Sequence, residues 1–306
     1  MTTSDTAFEC QFTVPENEAV ILDFDGLFTD CEALDEEGKH PYVEAYATSL
    51  AEHIGQPRDW TRGLMGQIEA AIRTNPEEHG MRFEGHIVAP GLADPYLRCR
   101  SIAEVIFTRA NRFPDPMKRA EVLSGLYSAN YLKYVPPLRP GAEELICEIN
   151  RLREDGPIHT VTNSRTEHVS GRISAVSGFV NADLVWGQAG KFELDIDGTQ
   201  YPWESDFPIS IQVPGMHRRE VYLRRGKYRK LVSQLINNRK TPIERITVAG
   251  DIWELDLAMW QHLGARVICL ETENTPPYLH QWLPTRPNAH MVTSIAELVQ
   301  ILNTPW

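Results

Sequence analysis

Three short stretches of this chain run apolar and then turn polar at their C-terminal ends. They are Ala19-Val20-Ile21-Leu22 into Asp23, Ile158-His159-Thr160-Val161 into Thr162-Asn163-Ser164, and Ile246-Thr247-Val248-Ala249 into Gly250-Asp251. Apolar and β-branched runs of this length predict strands buried on both faces, as in parallel sheets. Helical patterns lie between them. Pro140 to Arg153 places Ala142, Leu145, Ile146, Ile149 and Leu152 on one stripe, starting after Pro140-Gly141 and stopping before Asp155-Gly156. Lys227 to Asn237 and Leu255 to Leu263 read similarly, Val267 to Leu270 predicts a further strand, and Ile295 to Leu302 a last helix. Alternating strands and helices predict an α/β fold with a doubly wound, Rossmann-like parallel sheet. In such sheets ligands bind outside the carboxyl ends of the strands, so the polar endings are expected to converge on one site.

Two regions break the alternation. Val43 to His53, Trp60 to Arg73, Pro95 to Arg112 and Pro116 to Tyr134 carry helical patterns, which predicts a helical second domain over 34–135 inserted into a core made of 1–33 and 136–306. Within the core, KFELDIDGTQYPW and ISIQVPGMHRREVYLRR alternate and hold turn dipeptides, predicting a small β-excursion over 187–226.

Composition narrows the class. The 306 residues are 42% hydrophobic and 24% charged, as in ordinary soluble globular proteins. A net charge of −12 argues against a general nucleic-acid or anionic-membrane binder, since both want a positive field. The five cysteines are scattered, odd in number and form no CxxC pair, which points to reduced thiols and a cytoplasmic setting rather than disulfides or zinc. The first residues lack a basic region followed by an apolar stretch, so no secretory signal is expected. No run is long enough to predict a membrane span.

The chemistry concentrates at the strand ends. Asp23 and Asp25 sit two apart in AVILDFDGLFTD, although such carboxylates repel. A calcium loop does not account for them. The EF-hand pattern needs an acidic or amide residue, a glycine and a glutamate where this chain has Leu27, Phe28 and Leu34. Asp23-Phe24-Asp25-Gly26, Thr162-Asn163-Ser164, a lysine near 227, and Gly250-Asp251 followed by Asp256 resemble the four motifs of the haloacid dehalogenase (HAD) superfamily, in order. The resemblance covers roughly 17–33 and 136–300. The insert after the first motif is similar to that superfamily's C1-type helical cap.

The resemblance implies Mg²⁺-dependent hydrolysis of a small soluble phosphomonoester through an aspartyl phosphate. Asp23 would be the nucleophile, a carboxylate that is ionised at neutral pH and needs no base. Mg²⁺ would relieve the approach of two anions, held by Asp23, Asp251 and the backbone carbonyl of Asp25. Asp25 would be the acid and then the base, since neighbouring carboxylates push their pKa values apart. The Thr162 hydroxyl and the Asn163 backbone amide would bind phosphate oxygens, with a lysine offsetting the charge. Lys227, followed four residues on by Leu231, is the preferred lysine and Lys230 its alternate. Asp256 is expected to be supporting rather than a ligand.

Two departures stand out. Leu27 replaces the threonine usual after the motif-one glycine, and bulky Ile252 and Trp253 follow Asp251. Asp25 itself separates the chain from dehalogenases and phosphonatases, which lack an aspartate there. A β-phosphoglucomutase-type phosphotransferase and a weakly active regulatory protein on the same scaffold stay open as alternatives. So do the substrate and the oligomeric state. Arg218, Arg219, Arg224, Arg225, Lys227, Arg229 and Lys230 are read as a solvated hairpin or as a basic rim that recruits an anionic substrate.

Overall fold

A computed structural model describes residues 10, 14, 18–152, 158–178, 185–237 and 241–304, with backbone only for 237. The sequence-predicted stop at Asp155-Gly156 lies outside them. After β1 (Ala19–Leu22) the chain leaves for a run of helices: α1 (Pro41–Ile54), α2 (Arg58–Thr74), the hairpin β2 (Gly80–Phe83) and β3 (His86–Pro90), then α3 (Pro95–Arg109) and α4 (Pro116–Tyr131). It continues through α5 (Ala142–Leu152), β4 (Ile158–Val161), α6 (Thr166–Ser177), β5 (Val185–Trp186), the short pair β6 (Ser210–Ile211) and β7 (Val221–Tyr222), and α7 (Gly226–Asn237). The last elements are β8 (Ile246–Gly250), α8 (Ala258–Leu263), β9 (Arg266–Leu270), α9 (Pro277–Trp282), β10 (Ala289–Val292) and α10 (Ile295–Leu302).

Two compact units result. One is Met1–Asp30, Leu138–Ile211 and Val221–Trp306; the other is Cys31–Pro137 with Gln212–Glu220. The first holds a six-stranded sheet in the order β10-β9-β8-β1-β4-β5, parallel at every pairing. Every residue of β1, β8 and β9 is buried, which explains their mostly apolar character, and the two buried polar side chains, Thr247 and Arg266, bond each other at 3.0 Å. From β1 the chain winds to β4 and β5 on one side, then crosses to β8 and winds outward through β9 to β10 on the other. The strand order therefore reverses between β1 and β8, and this is where a doubly wound sheet opens a crevice at the strand ends. Leu22, Phe24, Leu27, Phe28, Leu145, Ile149, Ile268 and Leu298 belong to one buried apolar cluster of this unit.

The second unit packs α1 to α4 around Tyr42, Tyr46, Leu50, Ile68, Ile102 and Phe107, all buried. The β2–β3 hairpin interrupts what the sequence predicts as purely helical. Its turn carries Glu84 and Gly85 at φ 48° and 85°, the left-handed pair that a tight hairpin needs.

The predicted β-excursion over 187–226 holds only the two-residue strands β6 and β7, and its two halves differ. Asp195 is buried, and its carboxylate accepts hydrogen bonds from the Gln200 and Tyr201 amides and from Trp203 Nε1. One side chain thus folds KFELDIDGTQYPW into turns rather than a strand. Residues 212–220 group with the helical unit. There Glu77 Oε2 accepts hydrogen bonds from the backbone amides of His217 and Arg218 at 2.7 and 2.6 Å. The chain accordingly passes between the units at 30–31, 137–138, 211–212 and 220–221.

The residues of the predicted basic cluster are divided between the two units, and several have partners of their own. Arg218 pairs with Glu78, Arg224 donates to the Phe207 carbonyl, Arg225 is buried against the Glu254 carbonyl, and Arg229 is buried between the rings of Tyr201 and Trp260. Among the described residues no helix is long and apolar enough to cross a membrane.

Candidate functional site

The polar endings of β1, β4, β5 and β8 do meet. β1 delivers Asp23 beside β8, where the Asp23 amide donates to the Ala249 carbonyl at 2.9 Å. Asp251 follows β8. A carboxylate oxygen from each of Asp23, Asp251 and Asp256 lies within 4.8 Å of the others, all three in buried surroundings.

The turn after β1 is built for close approach. Gly26 has φ +79°, and a Cβ on it would lie 2.1 Å from Asp251 Oδ2. Only glycine fits both the backbone and the space. The Gly26 amide donates to Thr29 Oγ1 at 3.1 Å, and Arg139 Nε donates to the Gly26 carbonyl at 2.8 Å. Thr29 is fully buried. A threonine hydroxyl therefore does steady this turn, two residues after Leu27, and Leu27 itself is part of the apolar core.

The cation of the site is Lys191. Its ammonium lies 2.9 Å from Asp23 Oδ1, an ion pair without hydrogen-bond alignment, and donates to Asp256 Oδ1 at 2.8 Å. Burial opposes its charge, yet Asp23 and Asp256 together hold its pKa above the ordinary lysine value. Asp23 is pushed up to about 7. Burial drives that rise, Lys191 pulls against it, and the Asp256 and Asp25 charges reinforce it. Two carboxylates thus face one ammonium, with Asp251 clustered beside them.

The sequence-predicted lysines stand elsewhere. Lys227 Nζ pairs with Glu193 Oε1 at 2.8 Å, with about half of its side chain exposed, and Lys230 is exposed on α7. The reason is topological. The excursion separates Lys191 from α7, so a lysine-then-leucine pattern on that helix points at a surface residue. The signal for Lys191 is the same one that marks the other strand ends. Val185-Trp186 turns abruptly into Gly-Gln-Ala-Gly-Lys.

β4 supplies the side of the site opposite β8. Thr162 is buried, its Oγ1 accepts from the Ser164 amide at 3.1 Å, and Ser164 Oγ donates a short hydrogen bond to Asp25 Oδ2. The Asn163 side chain has a job that sequence reading missed: its Oδ1 accepts from the backbone amide of Lys191 at 2.9 Å. Backbone bonds from Gln188 to Ser164 and from Ala189 to Thr162 lay the loop after β5 along the loop after β4.

The bulk after Asp251 has a structural cause. Trp253 opens a π-helical turn, Trp253–Leu257, and is buried there, donating to Gln261 Oε1 at 2.8 Å and packing edge-on against Trp282. The turn folds Asp256 back so that its Oδ2 accepts from the Ile252 amide at 3.1 Å. Asp256 is expected from sequence to be supporting; here it bonds both Lys191 and the Ile252 backbone amide. π-helical turns of this kind recur at functional sites.

No family model matches the chain, and no curated protein matches it. Solved structures do. A phosphoglycolate phosphatase predicted in Haemophilus somnus aligns over 94% of this chain and 99% of its own, at 14% identity and a TM-score of 0.49. A HAD hydrolase of family IA, variant 3, from Entamoeba histolytica covers 94% and 100%, at 15% and 0.47. A β-phosphoglucomutase from Clostridium difficile covers 94% and 96%, at 13% and 0.43.

Proposed function

We propose that this chain is a Mg²⁺-dependent phosphoryl-transfer enzyme of the HAD type, acting as a phosphatase on a small soluble phosphomonoester. In this reading the sheet-bearing unit is the catalytic core, and the helical unit, 31–137 with 212–220 rather than the contiguous 34–135 expected from sequence, is the cap. The observation that carries it is the buried Asp23–Lys191–Asp256 chain at the β1–β8 crevice with Asp251 alongside.

The residues suit a hard divalent cation. Three clustered carboxylates outnumber the single ammonium, and the bare Gly26 backbone leaves Asp251 room that a Cβ would fill. Asp23 and Asp251, with the Asp25 carbonyl, would hold Mg²⁺, while Lys191 and the Ile252 amide already occupy Asp256. When bound, the ion neutralises carboxylate charge and polarises phosphate oxygens.

The chain's own groups divide the rest. An Asp23 oxygen, its carboxylate form favoured by the Lys191 charge, attacks phosphorus, forming an O–P bond as the ester oxygen leaves with a proton from Asp25. Water then attacks the same phosphorus, gives a proton to Asp25 and releases phosphate, restoring the Asp23 carboxylate. The Ser164 hydroxyl holds Asp25 in place, and Lys191 and the Thr162 hydroxyl offset charge on the transferring group. Hydrolysis of an aryl phosphate, followed by a metabolite panel, tests the reading in wild type and Asp23→Asn with Mg²⁺ or EDTA. Activity only in wild type with Mg²⁺ is expected. Equal turnover by Asp23→Asn would remove the mechanism, and equal turnover in EDTA would remove the metal. Conversion of a phosphosugar without phosphate release would make it a mutase.

A further inference from the structure

Tyr228 has no place in the mechanism above, yet it touches both partners of its buried ion pair. It lies two residues into α7 and is 1% exposed. The Lys191 ammonium sits over its ring, 5.5 Å from the centroid. Its hydroxyl donates to the Asp256 carbonyl at 3.3 Å, and its ring meets Trp260 edge-on at 5.6 Å. α7 begins beyond the excursion from Lys191, so the chain itself gives this lysine no short tether to the helix.

We propose that Tyr228 is a positioning residue: its ring face fixes the Lys191 ammonium between Asp23 and Asp256. The inference rests on the phosphoryl-transfer reading for its kinetic part only. The buried ammonium donates to Asp256 and is paired in charge with Asp23, so two carboxylates cover two of its sides. The negative face of an aromatic ring covers a third side, a desolvated arrangement in which cation–π attraction is at its strongest. The hydroxyl also bonds the Asp256 carbonyl at 3.3 Å, a secondary contact beside the ring face that carries the positioning. Hydrophobic packing alone would need neither the ring over Nζ nor the bond to Asp256.

Two substitutions separate these roles. Tyr228→Phe keeps the ring and loses the bond to Asp256. Tyr228→Met fills much of the volume without a π face. On an aryl phosphate with Mg²⁺, Tyr228→Phe is expected within about threefold of wild type. Tyr228→Met is expected to lose roughly 10–30-fold in kcat with KM nearly unchanged. The second measurement is independent of activity and begins with the wild-type protein. By NMR the Lys191 ε-methylene protons should be shifted upfield relative to those of half-exposed Lys227. The shift should persist in Tyr228→Phe and vanish in Tyr228→Met. An unshifted wild-type resonance overturns the proposal even if no variant folds. Wild-type kcat in Tyr228→Met, or equal losses in both variants, also overturns it. A wild-type protein inactive on every phosphoester but with the shifted resonance would refute the phosphatase reading and leave the placement of Lys191 standing.

Discussion

The Asn163 carboxamide oxygen and the Lys191 backbone amide are 2.9 Å apart, and this bond joins the end of β4 to the loop that carries the buried ammonium. Asn163→Ala removes the acceptor. A hydrogen bond of this kind contributes about 1 kcal/mol. The expected result is faster amide exchange confined to 187–191, with little change in overall stability. Hydrogen–deuterium exchange by mass spectrometry checks it, and an unchanged Lys191 amide would show the bond to be idle.

Lys191→Met keeps length and removes charge. Loss of one preorganised donor at a phosphoryl-transfer centre lowers kcat by roughly 10²–10³-fold. Lys227→Met and Lys230→Met, at exposed positions, should stay within about twofold. Parallel kinetics on the three variants decide the matter. A collapse in Lys227→Met with Lys191→Met near wild type would reverse the assignment.

Gly26→Ala combines a left-handed φ with a Cβ 2.1 Å from Asp251 Oδ2. The backbone term alone costs on the order of 1–3 kcal/mol, and the clash adds displacement of a carboxylate. We expect a lower urea midpoint together with weaker stabilisation by Mg²⁺. A protein as stable as wild type, with the same midpoint gain from Mg²⁺, would contradict the geometry.

His40 gives the helical unit a pH dependence. It is buried at the start of α1, where Nε2 lies 2.7 Å from the Cys31 carbonyl and Nδ1 accepts from the Val43 amide at 3.4 Å. Burial lowers its pKa below 6.5, while the Cys31 carbonyl works the other way. The folded state thus favours the neutral ring. Its contribution is present above pH 6.5 and fades as pH falls through and below that value. His79, in the same unit, shifts in the same direction, again chiefly through burial. Comparison of wild type with His40→Asn, whose amide oxygen can cap α1 without titrating, isolates the residue. The difference in stability between the two should change between pH 7 and 5, and a constant difference would refute the account.

Much of this arrangement was legible in the order of residues. Buried runs ending in Asp23, Thr162 and Asp251 predict both a parallel sheet and the edge at which its chemistry gathers, because a strand buried on both faces is mostly apolar and carries its carboxylates only where it ends. The same logic did not reach β5, since two residues, Val185 and Trp186, carry too little periodicity to register. Lys191 was missed with it. Asn163 drew attention for its backbone, and nothing in a sequence says that its side chain reaches an amide twenty-eight positions on. The β2–β3 hairpin was hidden because its turn depends on two left-handed residues, Glu84 and Gly85, of which only glycine announces itself. Leu27 and Trp253 looked anomalous because a hydroxyl was expected at the first position and a small or polar residue at the second. Thr29 and the π-helical turn meet the same needs one step removed.

The strap at 212–220 bears on how such a protein can be recombined. Domain exchange between related enzymes normally cuts an inserted domain at its two junctions. Here a transplant of 31–137 alone would leave behind the backbone amides of His217 and Arg218 that satisfy Glu77. The helical unit is therefore not a contiguous cassette, and any chimaera that preserves it has to carry two separate pieces of chain.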